Sequence, residues 1–141
     1  MSMINDECEI RVLYAGTDKM GYVHHSNYAR YCEKARWELF RKLGLSYKML
    51  EDSGVMLPVV DMSFKFFKPA IYDELLRIQT NLVKLKGPTI IFAYRIFNEK
   101  NELINKGETT LAFIDEKSRK PCHPSSLLVS ILKEKCSELS K

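Results

Sequence analysis

Between residues 27 and 43 apolar side chains recur at Tyr28, Cys32, Ala35, Leu39 and Leu43, spaced four, three, four and four. That spacing lays them along one face of a helix. Trp37 and Phe40 widen the stripe, and Arg30, Lys34, Glu38 and Arg41 supply the opposite, polar face. Ser26 suits the N-cap, because its hydroxyl can accept from a free backbone N–H, and Gly44 suits the stop, because glycine enters the left-handed region without cost. A short second helix is expected over 47–52, ending at Gly54.

On both sides of this stretch the period becomes two. Ile10, Val12 and Tyr14 share one face of a first strand over 9–14. From Val55 onward Pro58, Val60, Met62, Phe64 and Phe66 fall on one face and Asp61, Ser63 and Lys65 on the other, until Pro69 stops the strand. Leu76, Ile78, Thr80 and Leu82 mark the next, which ends at the turn cluster Lys86-Gly87-Pro88. Ile90, Phe92, Tyr94 and Ile96 mark a fourth, closed by the polar turn 98–101, and Thr109, Leu111 and Phe113 a fifth. Residues 125–136 have the pattern of a terminal amphipathic helix. One long helix followed by consecutive strands predicts an α+β protein, an antiparallel sheet with the helix packed on one face.

Composition narrows the function classes. The chain has 141 residues, enough for one domain over 1–141 with a single core. Its net charge of +4 comes from lysines and arginines scattered among acids, unlike the clustered cations of a nucleic-acid binder. No apolar run approaches the roughly 20 residues that span a bilayer. The first residues lack the basic and apolar regions of a signal peptide, so a cytoplasmic location is expected. Cys8, Cys32, Cys122 and Cys136 show no C-x-x-C spacing and read as reduced thiols. Cys122-His123 and His24-His25 are adjacent pairs, which is not a usual zinc spacing, so no metal and no other cofactor is expected. No G-x-S-x-G elbow is present for a serine nucleophile.

Candidate chemistry concentrates in residues 17–28, Thr-Asp-Lys-Met-Gly-Tyr-Val-His-His-Ser-Asn-Tyr. A carboxylate, Asp18, sits in a glycine-containing loop that runs into the start of the long helix. The free N–H groups and positive dipole end of a helix can polarise a carbonyl or hold an oxyanion. A carboxylate a few residues upstream can attack that carbonyl or activate water beside it. That pairing points to acyl transfer. Taken without its surroundings, however, an aspartate at this place is a turn residue.

The same stretch resembles the Asp-containing motif of the hotdog-fold acyl-CoA thioesterases, the group of 4-hydroxybenzoyl-CoA thioesterase and the Tol–Pal-associated enzymes. The motif is matched at Asp18, Gly21, His24, His25, Asn27 and Tyr28, and the resemblance continues through Phe67-Lys68-Pro69-Ala70 and Asp73-Glu74-Leu75. It implies a hotdog fold, a sheet wrapped around a central helix, in domains that pair into homodimers or homotetramers with active sites at the subunit boundary. It also implies hydrolysis of an acyl-CoA, or of an acyl-carrier-protein thioester. Asp18 would be nucleophile or general base, and the His25 N–H would face the thioester carbonyl; the His25 imidazole could also donate a hydrogen bond or shuttle a proton, and the bland alternative is a histidine that only caps the helix. Gly21, Tyr22, Val23 and Tyr28 would contact substrate, although Tyr28, like Tyr31, reads by itself as core before site. Gly21 would let the backbone approach the thioester, and Asn27 would brace the loop. Lys84 and Lys86 match the region where related enzymes place cations near the coenzyme A phosphates; by themselves they read as a solvated hairpin end. His24 receives no chemical role. A non-catalytic acyl-CoA or acyl-carrier-protein binder and a hotdog hydratase or dehydratase are the rival readings.

Overall fold

The computed structural model describes residues 4–124, 126 and 128–133. Strand β1 (Ile4–Arg11) leads through a 3-10 turn at Tyr14–Gly16 and the Asp18 loop into helix α1 (Ser26–Lys42) and the short helix α2 (Tyr47–Asp52). The strands β2 (Val55–Met56), β3 (Val59–Phe66), β4 (Leu75–Lys86), β5 (Thr89–Phe97), β6 (Leu103–Ala112) and β7 (Ile114–Asp115) follow. Five of them form an antiparallel sheet in the order β1-β4-β5-β6-β3, and β2 pairs with β7 apart from it. Of the terminal helix expected over 125–136, residues 126 and 128–133 are helical and the rest lie outside the described residues.

The helix stripe and the sheet close on each other. Tyr28, Cys32, Ala35, Leu39 and Phe40 are buried in the same cluster as Leu76, Ile78, Ile90, Phe92 and Ile96 from β4 and β5. Phe40 meets Phe92 edge-on, ring centroids 5.6 Å apart. α1 ends as its glycine predicts. Gly44 takes a φ of +89°, its N–H bonds the Arg41 carbonyl and the Leu45 N–H bonds that of Phe40, which satisfies two carbonyls the helix would otherwise strand. Ser46 caps α2 by accepting from the Met49 N–H at 3.1 Å.

Three local expectations change. The first strand lies over Ile4–Arg11 rather than 9–14: Ile10 and Val12 are buried as expected, but Tyr14 has left the strand and is 77% exposed. Ser26 does not cap α1. The chain already turns helically at His25, and the His24 imidazole takes the capping position, its Nδ1 3.2 Å from the Ser26 N–H and 2.8 Å from the Ser26 hydroxyl. The run from Val55 to Phe66 breaks into two strands, and β3 carries a bulge between Val59 and Asp61. One extra residue reverses the alternation. Val59, Met62, Phe64 and Phe66 therefore stand opposite Leu111, Thr109, Gly107 and Asn105, with Val60 the unpaired insertion.

At the third of these crossings the packing is tight. The Phe64 ring lies over Gly107, where a Cβ would come within 2.6 Å of it. Among the described residues no further strand lies beyond β3, so Met62 and Phe66 stay 46% and 54% exposed although they share a face with the core.

Candidate active site

The Asp18 loop is a small hairpin. The Asp18 N–H bonds the Tyr22 carbonyl at 2.8 Å, and Thr17 bridges Val23. Gly21 makes the bend possible with a φ of +81°, and nothing lies within 4 Å of where its Cβ would be, so the restriction there is backbone conformation alone. One carboxylate oxygen of Asp18, Oδ1, accepts from the Met20 N–H at 2.8 Å and the Tyr22 N–H at 3.2 Å. The loop thus grips the carboxylate by one oxygen, while Oδ2 has no partner among the described residues and the side chain is exposed.

Two contacts fasten the loop to the start of α1. The His24 N–H and the Asn27 side-chain amide both donate to the Gly16 carbonyl, each at 3.0 Å. Asn27 braces the loop as expected. The Ser26 N–H is used by His24, while no acceptor among the described residues takes the N–H of His25. The His25 ring is exposed and lies against that of His24, centroids 4.1 Å apart.

His25 opens onto a cavity of about 260 Å³ that it lines together with Val23, Tyr28, Phe66, Phe67, Lys68 and Pro69. The structure therefore brings Val23, His25 and Tyr28 together, with Gly21 and the exposed Tyr22 on the adjoining hairpin. Asp18 is not part of this wall within one protomer. Lys68, at the rim, is paired with Glu102, and this pairing holds the Glu102 carboxyl below its ordinary range.

Tyr28 lines this cavity and also belongs to the core. It is buried against Phe66, ring centroids 5.2 Å apart, and its hydroxyl accepts from the Ala70 N–H at 3.2 Å, tying the helix to the segment after β3. Burial pushes its phenol up, so it stays protonated near neutral pH and offers no base. Tyr28→Phe is expected to cost about 1–3 kcal/mol, the penalty for leaving a buried N–H unpaired. A denaturant titration of the two proteins measures it.

Lys84 and Lys86 are exposed at the β4–β5 hairpin. Arg11 pairs Leu75 and Ile4 pairs Leu82, so within one protomer this hairpin lies at the end of the sheet opposite to the Asp18 loop.

Sequence reasoning passed over Arg36. It is 5% exposed, the one ionic residue buried as a whole among the described residues. The signal was present, because Tyr28, Cys32, Arg36 and Phe40 repeat every four residues along the buried stripe.

A family model described as the thioesterase-like superfamily matches residues 12–132. YneP of Bacillus subtilis, named as a candidate acyl-CoA thioesterase, is 37% identical over 113 residues, 80% of this chain and 82% of the relative. The acyl-CoA thioester hydrolase YbgC of Escherichia coli is 34% identical over 112 residues, 79% of this chain and 84% of its own. Among solved structures, a DHNA-CoA thioesterase from Staphylococcus aureus superposes with a TM-score of 0.87 at 35% identity, covering 96% of this chain and 91% of that one. A motif of this kind at the start of a helix that a sheet enfolds, matched through nearly the whole chain, shows that this protein has the hotdog fold and belongs to the thioesterase-like superfamily.

Proposed function

We propose that the protein hydrolyses acyl-CoA to the free acid and coenzyme A, with Asp18 and the His25 N–H as the reacting pair. The observation that carries this reading is a carboxylate held by its own loop through one oxygen, on a hairpin bonded to a helix start whose N–H is unclaimed. The thioester carbonyl accepts from the His25 N–H and is polarised by it and by the helix dipole. The Oδ2 of Asp18 either attacks the carbonyl carbon, expelling the CoA thiolate and leaving a mixed anhydride for water to cleave, or removes a proton from an attacking water. No helix among the described residues is long and apolar enough to cross a membrane, and the described cysteines are free, which fits a cytoplasmic enzyme.

The working unit in this reading is a homodimer formed through β3. Its unpaired edge and the exposed Val60, Met62 and Phe66 suit a second copy across a two-fold axis normal to the sheet, which joins two five-stranded sheets into one. The axis reverses the partner's sheet, so its β4–β5 hairpin comes to the same end as the first protomer's Asp18. Lys84 and Lys86 of the partner subunit can then serve the nucleotide phosphates, which their own protomer's geometry does not allow.

A panel of acyl-CoA esters assayed for free thiol tests the activity. A hydrolase releases CoA, a hydratase alters only the acyl chain and a binding module does neither. Changing Lys84 and Lys86 together to Ala is expected to raise KM for acyl-CoA while sparing short thioesters without the nucleotide. The difference should shrink in high salt, which screens exposed charges. Equal loss on both substrate types removes the lysines from the site.

A further inference from the structure

A second and larger cavity, about 1180 Å³, lies between α1, α2 and the β2–β3 segment. Trp37, Leu50, Val59 and Met62 give it apolar walls, while Arg30, Glu33, Glu51 and Arg119 are exposed charges of both signs around it. Arg36 is different in kind. It is buried in this wall and none of the ion pairs among the described residues includes it. Its Nη1 donates to the Tyr94 hydroxyl at 3.0 Å, which in turn bonds the Thr109 hydroxyl at 2.7 Å. Its Nε has no partner.

A guanidinium stays charged, and burying it without an anion is costly. Nη1 is engaged and Nε is sealed from solvent, so Nη2 is the group left to meet an anion in the cavity, through a charge-assisted hydrogen bond to a carboxylate oxygen. A cavity with methylene-friendly walls and one such cation in them suits a chain that ends in an acid.

The topology says how a thioester reaches it. Phe66, at one end of β3, lines the small cavity beside His25; Val59, at the other end, lines the large one. A two-fold axis that pairs β3 with its copy runs the strands antiparallel, setting Phe66 of one protomer toward Val59 of the other. The small cavity of each protomer then adjoins the large cavity of its partner.

Resting on the acyl-CoA hydrolase reading above, we propose that the large cavity receives the acyl group and that Arg36 of the partner subunit recognises a carboxylate at its far end. The preferred substrate class is thus the CoA monothioester of a dicarboxylic acid.

The test compares adipoyl-CoA with hexanoyl-CoA, equal in chain length and different only in the terminal carboxylate, and 4-hydroxybenzoyl-CoA with benzoyl-CoA. The intact protein should favour adipoyl-CoA in kcat/KM by about 100-fold, since a site built around a polar partner rejects the analogue lacking it. Arg36→Met should bring that ratio near about one, and Arg36→Lys, which keeps the charge but not the guanidinium shape, should restore part of it. CoA release without preference for adipoyl-CoA overturns this inference and leaves the hydrolase reading standing; no CoA release from any ester defeats that reading itself. A preference confined to the hydroxyl of the aromatic pair overturns the carboxylate assignment. So does dissociation of Arg36→Met into monomers, by light scattering, with equal loss on all four esters, which makes Arg36 a subunit contact instead.

Discussion

Asp18→Asn is expected to lower acyl-CoA hydrolysis by about 100- to 10,000-fold, the usual cost of removing a general base, while leaving a folded protein that still binds its substrate. The substitution keeps the side chain's shape, and its amide oxygen can still accept from the Met20 and Tyr22 N–H groups that hold Oδ1, so the hairpin survives. The exposed position adds no core penalty. What disappears is the negative charge on the outward oxygen, and with it both routes, attack on the carbonyl and deprotonation of water. Steady-state kinetics, a circular dichroism melt and a binding titration with a non-hydrolysable acyl-CoA analogue read the three properties separately. A variant that keeps most of its rate reduces Asp18 to a turn residue.

The second large effect is expected at the sheet edge. Met62→Asp sets a carboxylate on β3, and in a two-fold interface it appears twice and faces its own copy. Like charges brought together in this way cost several kcal/mol, on the order of 100-fold or more in the dimer dissociation constant. Met62 is half-exposed in the protomer, so the monomer should keep its fold. Light scattering should then show monomers at micromolar concentration, and activity should fall with them, because in the proposed dimer the acyl cavity and the lysines facing the nucleotide belong to the other subunit. Full activity in a monomer refutes the proposed shared site; loss of activity alone does not establish it, because Met62 also lines the large cavity.

Which parts of the chain could be read in advance follows from where each residue finds its partners. The stripe from Tyr28 to Phe40 and the alternation through β4 and β5 were legible because each is buried on one side by another part of the same chain. Thr80 and Thr109 were correctly placed on the inner face although they are polar, because strand parity decides the face and composition does not. The β3 pattern misled for two physical reasons. A bulge inserts Val60 without any mark in the sequence, and the strand's apolar residues have no cover within the protomer, so their alternation carries no burial to check against. The start of α1 was misread because a serine is the commoner cap, and a histidine ring folding back on the next turn is a matter of rotamer that spacing cannot supply. In the site, the motif located the loop, the helix start and the bracing Asn27. Arg36 stayed hidden because a cation on an apolar stripe reads as an exception until its surroundings are known.

The contact between Phe64 and Gly107 has a consequence for how this sequence is free to drift. The two residues lie on neighbouring strands and share one volume, which the ring fills to within 2.6 Å of any added Cβ. Neither position is therefore an independent letter. A larger residue at 107 is tolerable only after the ring at 64 has shrunk, whereas a smaller residue at 64 is tolerable first, at the cost of a void. Exchange between these two sites has a permitted order, so relatives that differ here should differ at both positions or have passed through the cavity-bearing intermediate, and the effects of the two changes should not add.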